Sequence, residues 1–179
     1  MAEWQDSARM PVARLEACSF ASDPDLARSP KLKWLAELVD RSRLAGRLPR
    51  IEEVTPRLIG PTALPTVMIV DVEGRPRRYR IRLVGTDLTR MAGRDATGRF
   101  FDELADRQGA ANAFYLRQFD HIADSGDTVL ITADLYYRRN DWQHFRAIWA
   151  PLAGSDGAIE RIACALESPG QKRGRRSLV

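Results

Sequence analysis

Few residues of this chain have the type and spacing that acid–base, nucleophilic or metal chemistry requires. It contains only two histidines, His121 and His144, and two cysteines, Cys18 and Cys164, which lie far apart. Catalysis usually needs a base beside a nucleophile or a pair of placed carboxylates, and structural metal sites need closely spaced ligands. We find neither pattern, and no glycine-rich phosphate loop. The sequence therefore predicts neither an enzyme nor a metal site, and no disulfide.

The carboxylates in the middle of the chain have a structural interpretation. Asp87 and Asp95 stand at the corners where short helices are expected to begin, and Asp102 and Glu103 follow in a further short helix. An acidic side chain at a helix start accepts hydrogen bonds from free amides and complements the helix dipole. We therefore expect these side chains to cap turns rather than to catalyse a reaction.

Large apolar side chains form the remaining candidate site. Those expected to face each other between a helical layer and a sheet are Phe101, Phe114, Tyr115, Phe119, Ile131 and Trp149. Small-molecule pockets are mostly apolar, but protein interiors are also densely packed, so the pattern leaves open whether these residues line a pocket or fill a core. Tyr115 and Trp149 are favoured as lining residues because each has a polar atom that needs a partner.

The elements that position these side chains follow from periodicity and turn residues. Alternating or β-branched segments predict five strands, over residues 66–72, 77–84, 128–137, 144–152 and 159–167. Short helices are expected between the second and third strands, and a longer helix over 110–124 stops at Ser125-Gly126. Short turns favour antiparallel pairing. The fold class is therefore α+β, with two strands, helices and three strands.

An amphipathic helix is predicted ahead of the sheet, over residues 29–48. Ser29 can cap its first amides and Pro30 suits the first turn. Its apolar stripe must be buried either on its own domain or against a second copy of the chain. The residues of the stripe are Trp34, Leu35, Leu38 and Val39.

A run of short motifs links the second strand to the helices. In order they are Arg82-Leu83-Val84-Gly85-Thr86, Gly93, Asp95, Thr97-Gly98-Arg99 and Glu103-Leu104. Their order and spacing resemble the PAS superfamily of sensor domains, in particular the single-PAS proteins abundant in alphaproteobacteria, over roughly residues 30–167. The motif residues carried over by this resemblance are Arg82, Gly85, Thr86, Gly98 and Arg99.

The resemblance implies a PAS-like fold and a cavity, and it favours homodimerisation through the flanking helix. Some PAS oxygen sensors carry a haem-binding histidine on the longer helix, nearer its beginning, which corresponds to Asn112 here. His121 lies close to the helix end beside charged neighbours, which indicates a surface residue, so we predict neither haem nor another cofactor. For Arg82 an anion contact is one interpretation, but strand alternation favours a salt bridge on the outer face, to Asp71 or Glu160.

The composition bounds the remaining function classes. At 179 residues and a net charge of +4, one soluble domain is expected. With no apolar run near the roughly 20 residues that span a bilayer and no signal-peptide pattern, a cytoplasmic location is predicted. We interpret residues 1–28 as a loosely ordered arm with a short helix near 12–19, 49–168 as the PAS-like domain, and 169–179 as a basic flexible tail.

The predicted function is a non-catalytic sensory module that binds a small ligand or a protein partner and signals to another molecule. One alternative is an enzyme or ligand-binding protein with the nuclear-transport-factor-like α+β fold, which begins with a helical hairpin. A second alternative is nucleic-acid binding through the basic tail. Solvated charge is the favoured interpretation of that tail, because no aromatic residues are interleaved with it to stack on bases. The ligand and the downstream partner stay open.

Overall fold

The computed structural model describes residues 14–16, 28–107, 109–138 and 141–168, although the side chains of 14–16, 105–112 and 133–144 fall outside that description. These residues form an antiparallel sheet in the spatial order β1-β4-β5-β6-β2-β3. The strands are β1 (Arg14–Glu16), β2 (Val67–Glu73), β3 (Arg78–Val84), β4 (Val129–Arg138), β5 (Asp141–Ala153) and β6 (Ile159–Glu167).

Within the described residues, four α-helices and three 3₁₀ turns accompany the sheet. The helices are α1 (Lys33–Leu44), α2 (Pro56–Ile59), α3 (Thr86–Ala92) and α4 (Gly109–Ser125). The 3₁₀ turns are Ile51–Glu53, Leu64–Thr66 and Phe101–Arg107. The predicted α+β fold is confirmed, since β2 and β3 precede α3 and α4, and β4, β5 and β6 follow them. This order differs from the helical hairpin that opens the nuclear-transport-factor-like alternative.

Both faces of the sheet are buried, because successive strand residues point to opposite sides. On β6, Ala163 and Ala165 face the core under α1, whereas Ile162 and Cys164 face the core under α3 and α4. The strands therefore separate two hydrophobic clusters. Helices α1 and α2 pack on one face of the sheet, and α4 packs on the other.

Helix α1 closes the first face with the predicted apolar stripe. The hydroxyl oxygen of Ser29 accepts a hydrogen bond from the amide of Leu32 at 3.1 Å, so Ser29 caps the entry turn as expected. The regular α-helix begins only at Lys33, and it ends at Leu44 rather than at residue 48. Trp34, Leu35, Leu38 and Val39 are all buried, and they belong to one cluster with residues of the chain's own sheet. Of the two predicted ways to bury the stripe, the structure shows packing within the domain.

The segment that we interpreted as a loosely ordered arm contributes an edge strand. Residues 14–16 pair antiparallel with β4, with Leu15 opposite Ile131, so the short helix predicted near 12–19 is wrong at these residues. An extended segment at this position satisfies backbone groups that would otherwise be unpaired along the edge of β4. Residues 1–13 and 17–27 of the arm and the predicted basic tail, 169–179, lie outside the described residues.

Candidate ligand-binding cavity

A cavity of about 160 Å³ lies on the face of the sheet opposite α1, between the sheet and the segment from α3 to the 3₁₀ turn Phe101–Arg107. Fifteen residues line it, and nearly all of them are apolar. They are Met68, Ile81, Val84, Leu88, Met91, Ala92, Arg94, Ala96, Phe101, Leu104, Tyr115, Phe145, Trp149, Cys164 and Leu166. For comparison, an apolar cavity of about 150 Å³ in another protein is large enough to bind benzene.

The corner at Gly85 directs the chain from β3 over the cavity. A Cβ atom at this position would lie 2.3 Å from the carbonyl oxygen of Pro65, so only glycine allows the two backbone segments to approach this closely. The amide of Gly85 donates to the carbonyl of Val67 at 2.7 Å, which fixes the corner to the start of β2. Thr86, the next motif residue, is exposed as the first residue of α3.

A second corner, around Gly98, returns the chain to the edge of β3. Gly98 has a φ of +82° and donates its amide to the carbonyl of Ile81 at 2.6 Å, and the carbonyl of Arg99 accepts from the amide of Ile81 at 2.9 Å. The ring of Phe100 then lies against the guanidinium groups of Arg78 and Arg80, at 3.7 and 4.1 Å from the ring centre. The covering segment is therefore anchored at both ends.

Between these anchors, α3 itself is loosely packed. Leu88, Met91 and Ala92 line the cavity, yet no residue of α3 is buried. The helix ends at Gly93, whose φ of +71° is left-handed. Ala92 and Arg94 are exposed, so the cavity reaches solvent at this end of the helix. Helix α3 thus covers the cavity without having any buried residue of its own.

An aromatic cluster forms the inner wall. Tyr115 stacks on Trp149 with the ring centres 5.2 Å apart and the planes 18° from parallel, and Phe101 lies 5.8 Å from Tyr115. Phe119 packs behind them, 5.0 Å from Trp149 and 4.9 Å from Phe101. Stacked and edge-on aromatic contacts of this kind hold the wall in a defined shape.

The six predicted pocket residues therefore divide into two groups. Phe101, Tyr115 and Trp149 line the cavity. Phe119 and Ile131 are fully buried in the core behind it, and Phe114 is half-buried against that core, so the structure does not place these three in the lining. Whether the cavity binds a ligand stays a prediction.

Several lining residues escaped the sequence reasoning. Met68, Cys164 and Leu166 face the cavity from β2 and β6. Strand alternation could have identified them, because each is next in sequence to a residue that packs under α1, on the opposite face of the sheet. Cys164 is buried as well as lining the cavity. Burial raises the pKa of its thiol well above the usual value, which keeps it protonated. Arg94 was missed because nothing in its neighbourhood distinguishes it from other surface arginines.

The other polar residues singled out in the sequence lie on the surface in structural roles. Arg82 is exposed and contacts Asp71 at 3.4 Å, in agreement with the salt-bridge interpretation. The Asp95 carboxylate accepts from the amide of Thr97 at 2.9 Å, and this hydrogen bond lowers the pKa of Asp95. His121 is exposed, lies 3.6 Å from Asp127 and does not line the cavity.

Neither a candidate metal site nor a membrane-spanning helix is found among the residues that the structure describes. Within them, no group of three or more histidine, cysteine or acidic side chains is arranged to hold a metal ion. Within the same residues, no helix has the length and apolar character needed to cross a membrane. Cys18 and the side chain of His144 fall outside the described parts of the chain.

Comparisons with known proteins identify the architecture. A family model described as a PAS domain matches residues 28–167. A solved structure described as an RNA-binding Light-Oxygen-Voltage receptor aligns with 16% identity and a TM-score of 0.41, covering 83% of this chain and 55% of that chain. The chain thus spans about half the length of that receptor. A search of curated proteins found no match.

Proposed function

The chain belongs to the PAS domain family, and we propose that it is a non-catalytic sensory module of the cytoplasm. In this proposal the cavity under α3 binds a small molecule, and the change in the covering segment alters the contacts of the domain with a separate signalling protein. The ligand-binding step and the transfer of the signal are the two parts of the proposal, and they can be tested separately.

The observation that carries the proposal is the cavity itself. It has a volume of about 160 Å³, whereas protein interiors normally contain few spaces larger than a water molecule. Its lining is almost entirely apolar, so water in it would find few hydrogen-bond partners. An apolar ligand that displaced such water would gain the hydrophobic contribution of its buried surface.

The lining favours binding over catalysis. None of the fifteen lining residues in the described structure is a histidine or a carboxylic acid. The thiol of Cys164 is the one nucleophile on β6 that faces the cavity, and its raised pKa leaves it as the less reactive neutral form. This arrangement supports a site that receives a molecule without transforming it.

The loosely packed cover supplies a route for the signal. A ligand that contacts Leu88 and Met91 would bury surface on a helix that otherwise has no buried residue. It would therefore bind the closed arrangement of α3 more tightly than an open one, and a ligand shifts a conformational equilibrium only through such a difference in affinity. The exposed face of α3 then offers a partner protein a surface whose order depends on the ligand.

Hydrogen exchange of the amides in α3 tests this proposal, with toluene as the probe. We expect saturable binding of toluene to slow exchange over residues 86–92, because the cover opens less often when the cavity is occupied. The matched control is Cys164→Leu, which places a larger side chain in the cavity and should abolish the effect of toluene. Unchanged exchange at saturating toluene, or equal slowing in both proteins, would contradict the proposal.

A homodimer stays part of the proposal, but it needs a different surface from the one predicted. The side chains suggested for the contact, such as Leu35 and Leu38, are already fully buried against the chain's own sheet. A second copy would have to dock elsewhere unless α1 leaves the sheet. Sedimentation equilibrium of the purified chain measures whether it dimerises.

A further inference from the structure

Arg94 introduces a positive charge at an otherwise uncharged site. It is the only charged residue among the fifteen that line the cavity in the described structure. It follows the left-handed Gly93 at the end of α3, and it is exposed. Because an arginine can lay its aliphatic stem along apolar surface while its guanidinium reaches solvent, Arg94 places a cation at the mouth.

Among the described residues this cation has no carboxylate partner, in contrast to its neighbours. Arg90, on the same helix, pairs with Asp87 at 2.8 Å, and Arg78 and Arg80 are paired with acidic side chains at 2.9 and 2.8 Å. Arg94 makes no ion pair with any of the described residues. Its guanidinium therefore keeps its hydrogen-bond donors available at the rim of the apolar space.

We infer that the ligand of this cavity is a small aromatic or branched aliphatic carboxylate, with its apolar part inside and its carboxylate at Arg94. This inference rests on the proposed function, and it adds the chemical class of the ligand. The planar guanidinium matches a carboxylate with two parallel hydrogen bonds, so it can orient such a ligand as well as attract it.

The size and charge of the site narrow the class further. A volume of about 160 Å³ is below the roughly 300–1,000 Å³ of pockets for drug-sized ligands, so it suits a single ring rather than a fused or nucleotide-like molecule. A ligand with an amine would meet Arg94 as a like charge, and the described lining offers no acidic side chain to compensate it. Anionic ligands are therefore favoured over neutral ones, and neutral over cationic ones.

Calorimetric titrations with benzoate, benzyl alcohol and benzylamine test the inference, because the three probes share a ring and differ in charge. We expect benzoate to bind most tightly and benzylamine least. Arg94→Gln should weaken benzoate about three- to tenfold, as expected for a partly solvated ion pair, and leave benzyl alcohol within about twofold. Arg57→Gln, which removes an exposed arginine from α2, should change neither. Raising the salt concentration should weaken benzoate alone.

The outcomes separate this inference from the proposed function. Equal affinity for benzoate and benzyl alcohol, or an equal loss of both in Arg94→Gln, would overturn the carboxylate inference while the cavity still bound a ligand. Failure of all three probes to bind at millimolar concentration would overturn the cavity proposal and the inference with it. If Arg57→Gln weakens benzoate binding as much as Arg94→Gln does, the effect comes from the net charge of the protein and not from a contact with Arg94. That result would also overturn the inference.

Discussion

Enlarging the side chain at position 164 should stabilise this protein, although enlarging a buried residue normally destabilises one. Cys164 is 3% exposed, lies on β6 and faces the cavity. Leucine has two more side-chain heavy atoms than cysteine, and in Cys164→Leu they can enter open space beside Met68, the cross-strand neighbour of residue 164. The next residue, Ala165, is fully buried under α1 and does not line the cavity, so Ala165→Val is the matched control.

The sign of the effect distinguishes open space from a filled core. At about 0.8 kcal/mol for each buried methylene, Cys164→Leu should raise the free energy of unfolding by up to about 1.5 kcal/mol. In a densely packed interior the same change would cost about 1–3 kcal/mol through overpacking, and this is the result expected for Ala165→Val. The two substitutions on neighbouring residues should therefore move stability in opposite directions.

Urea unfolding followed by circular dichroism measures both effects. With a slope of about 2 kcal/mol/M, Cys164→Leu should raise the unfolding midpoint by up to about 0.75 M at an unchanged slope, and Ala165→Val should lower it. The filled variant should also lose affinity for toluene. If Cys164→Leu lowers the midpoint as much as the control does, the space is not open and the reasoning is refuted.

Two further predictions concern the frame around the cavity. Gly85→Ala should destabilise the protein by roughly 3 kcal/mol or more in a thermal melt, because the new Cβ meets the backbone oxygen of Pro65 at 2.3 Å. The control is Gly154→Ala, whose new Cβ meets only the carboxylate end of a flexible glutamate side chain. A loss of stability in Gly154→Ala as large as in Gly85→Ala would contradict this prediction. The bidentate hydrogen bonds from Arg47 hold the pKa of Glu53 at about 2 in the folded protein. The ionised Glu53 therefore contributes about 1–3 kcal/mol to the free energy of unfolding above pH 4.5, and this contribution is lost as the pH falls towards 2. The stability difference from Glu53→Gln should shrink over that range, and a constant difference would exclude the pairing as its source.

The regular elements could be predicted because their patterns are local. The strand predicted over residues 159–167 is observed as Ile159–Glu167, since small and large apolar residues alternate along it and both faces are buried. Ser29 identified the entry of α1 because capping depends only on the next few residues. In contrast, β1 has three residues, too few for a periodic pattern, and its partner strand lies more than a hundred residues away.

The candidate site was less predictable because an open cavity is a property of packing between distant segments. Phe101 and Phe119 are both aromatic and both face the second core, yet only Phe101 lines the cavity. The difference lies in the packing, since Phe119 lies behind Phe101 and Trp149, with ring centres 4.9 and 5.0 Å away. Arg94 lines the cavity from the position after the Gly93 C-cap of α3, and its residue type alone carries no sign of that.

The most direct test of the central claim, that the space under α3 receives an apolar ligand, is methyl NMR of protein labelled with ¹³C-methyl methionine. Met68 and Met91 line the cavity from the sheet and from α3, and substitution by leucine assigns their signals. We predict that both signals shift in one saturable transition as toluene is added. If toluene binds while neither signal moves, or if neither responds at any concentration, the claim is contradicted.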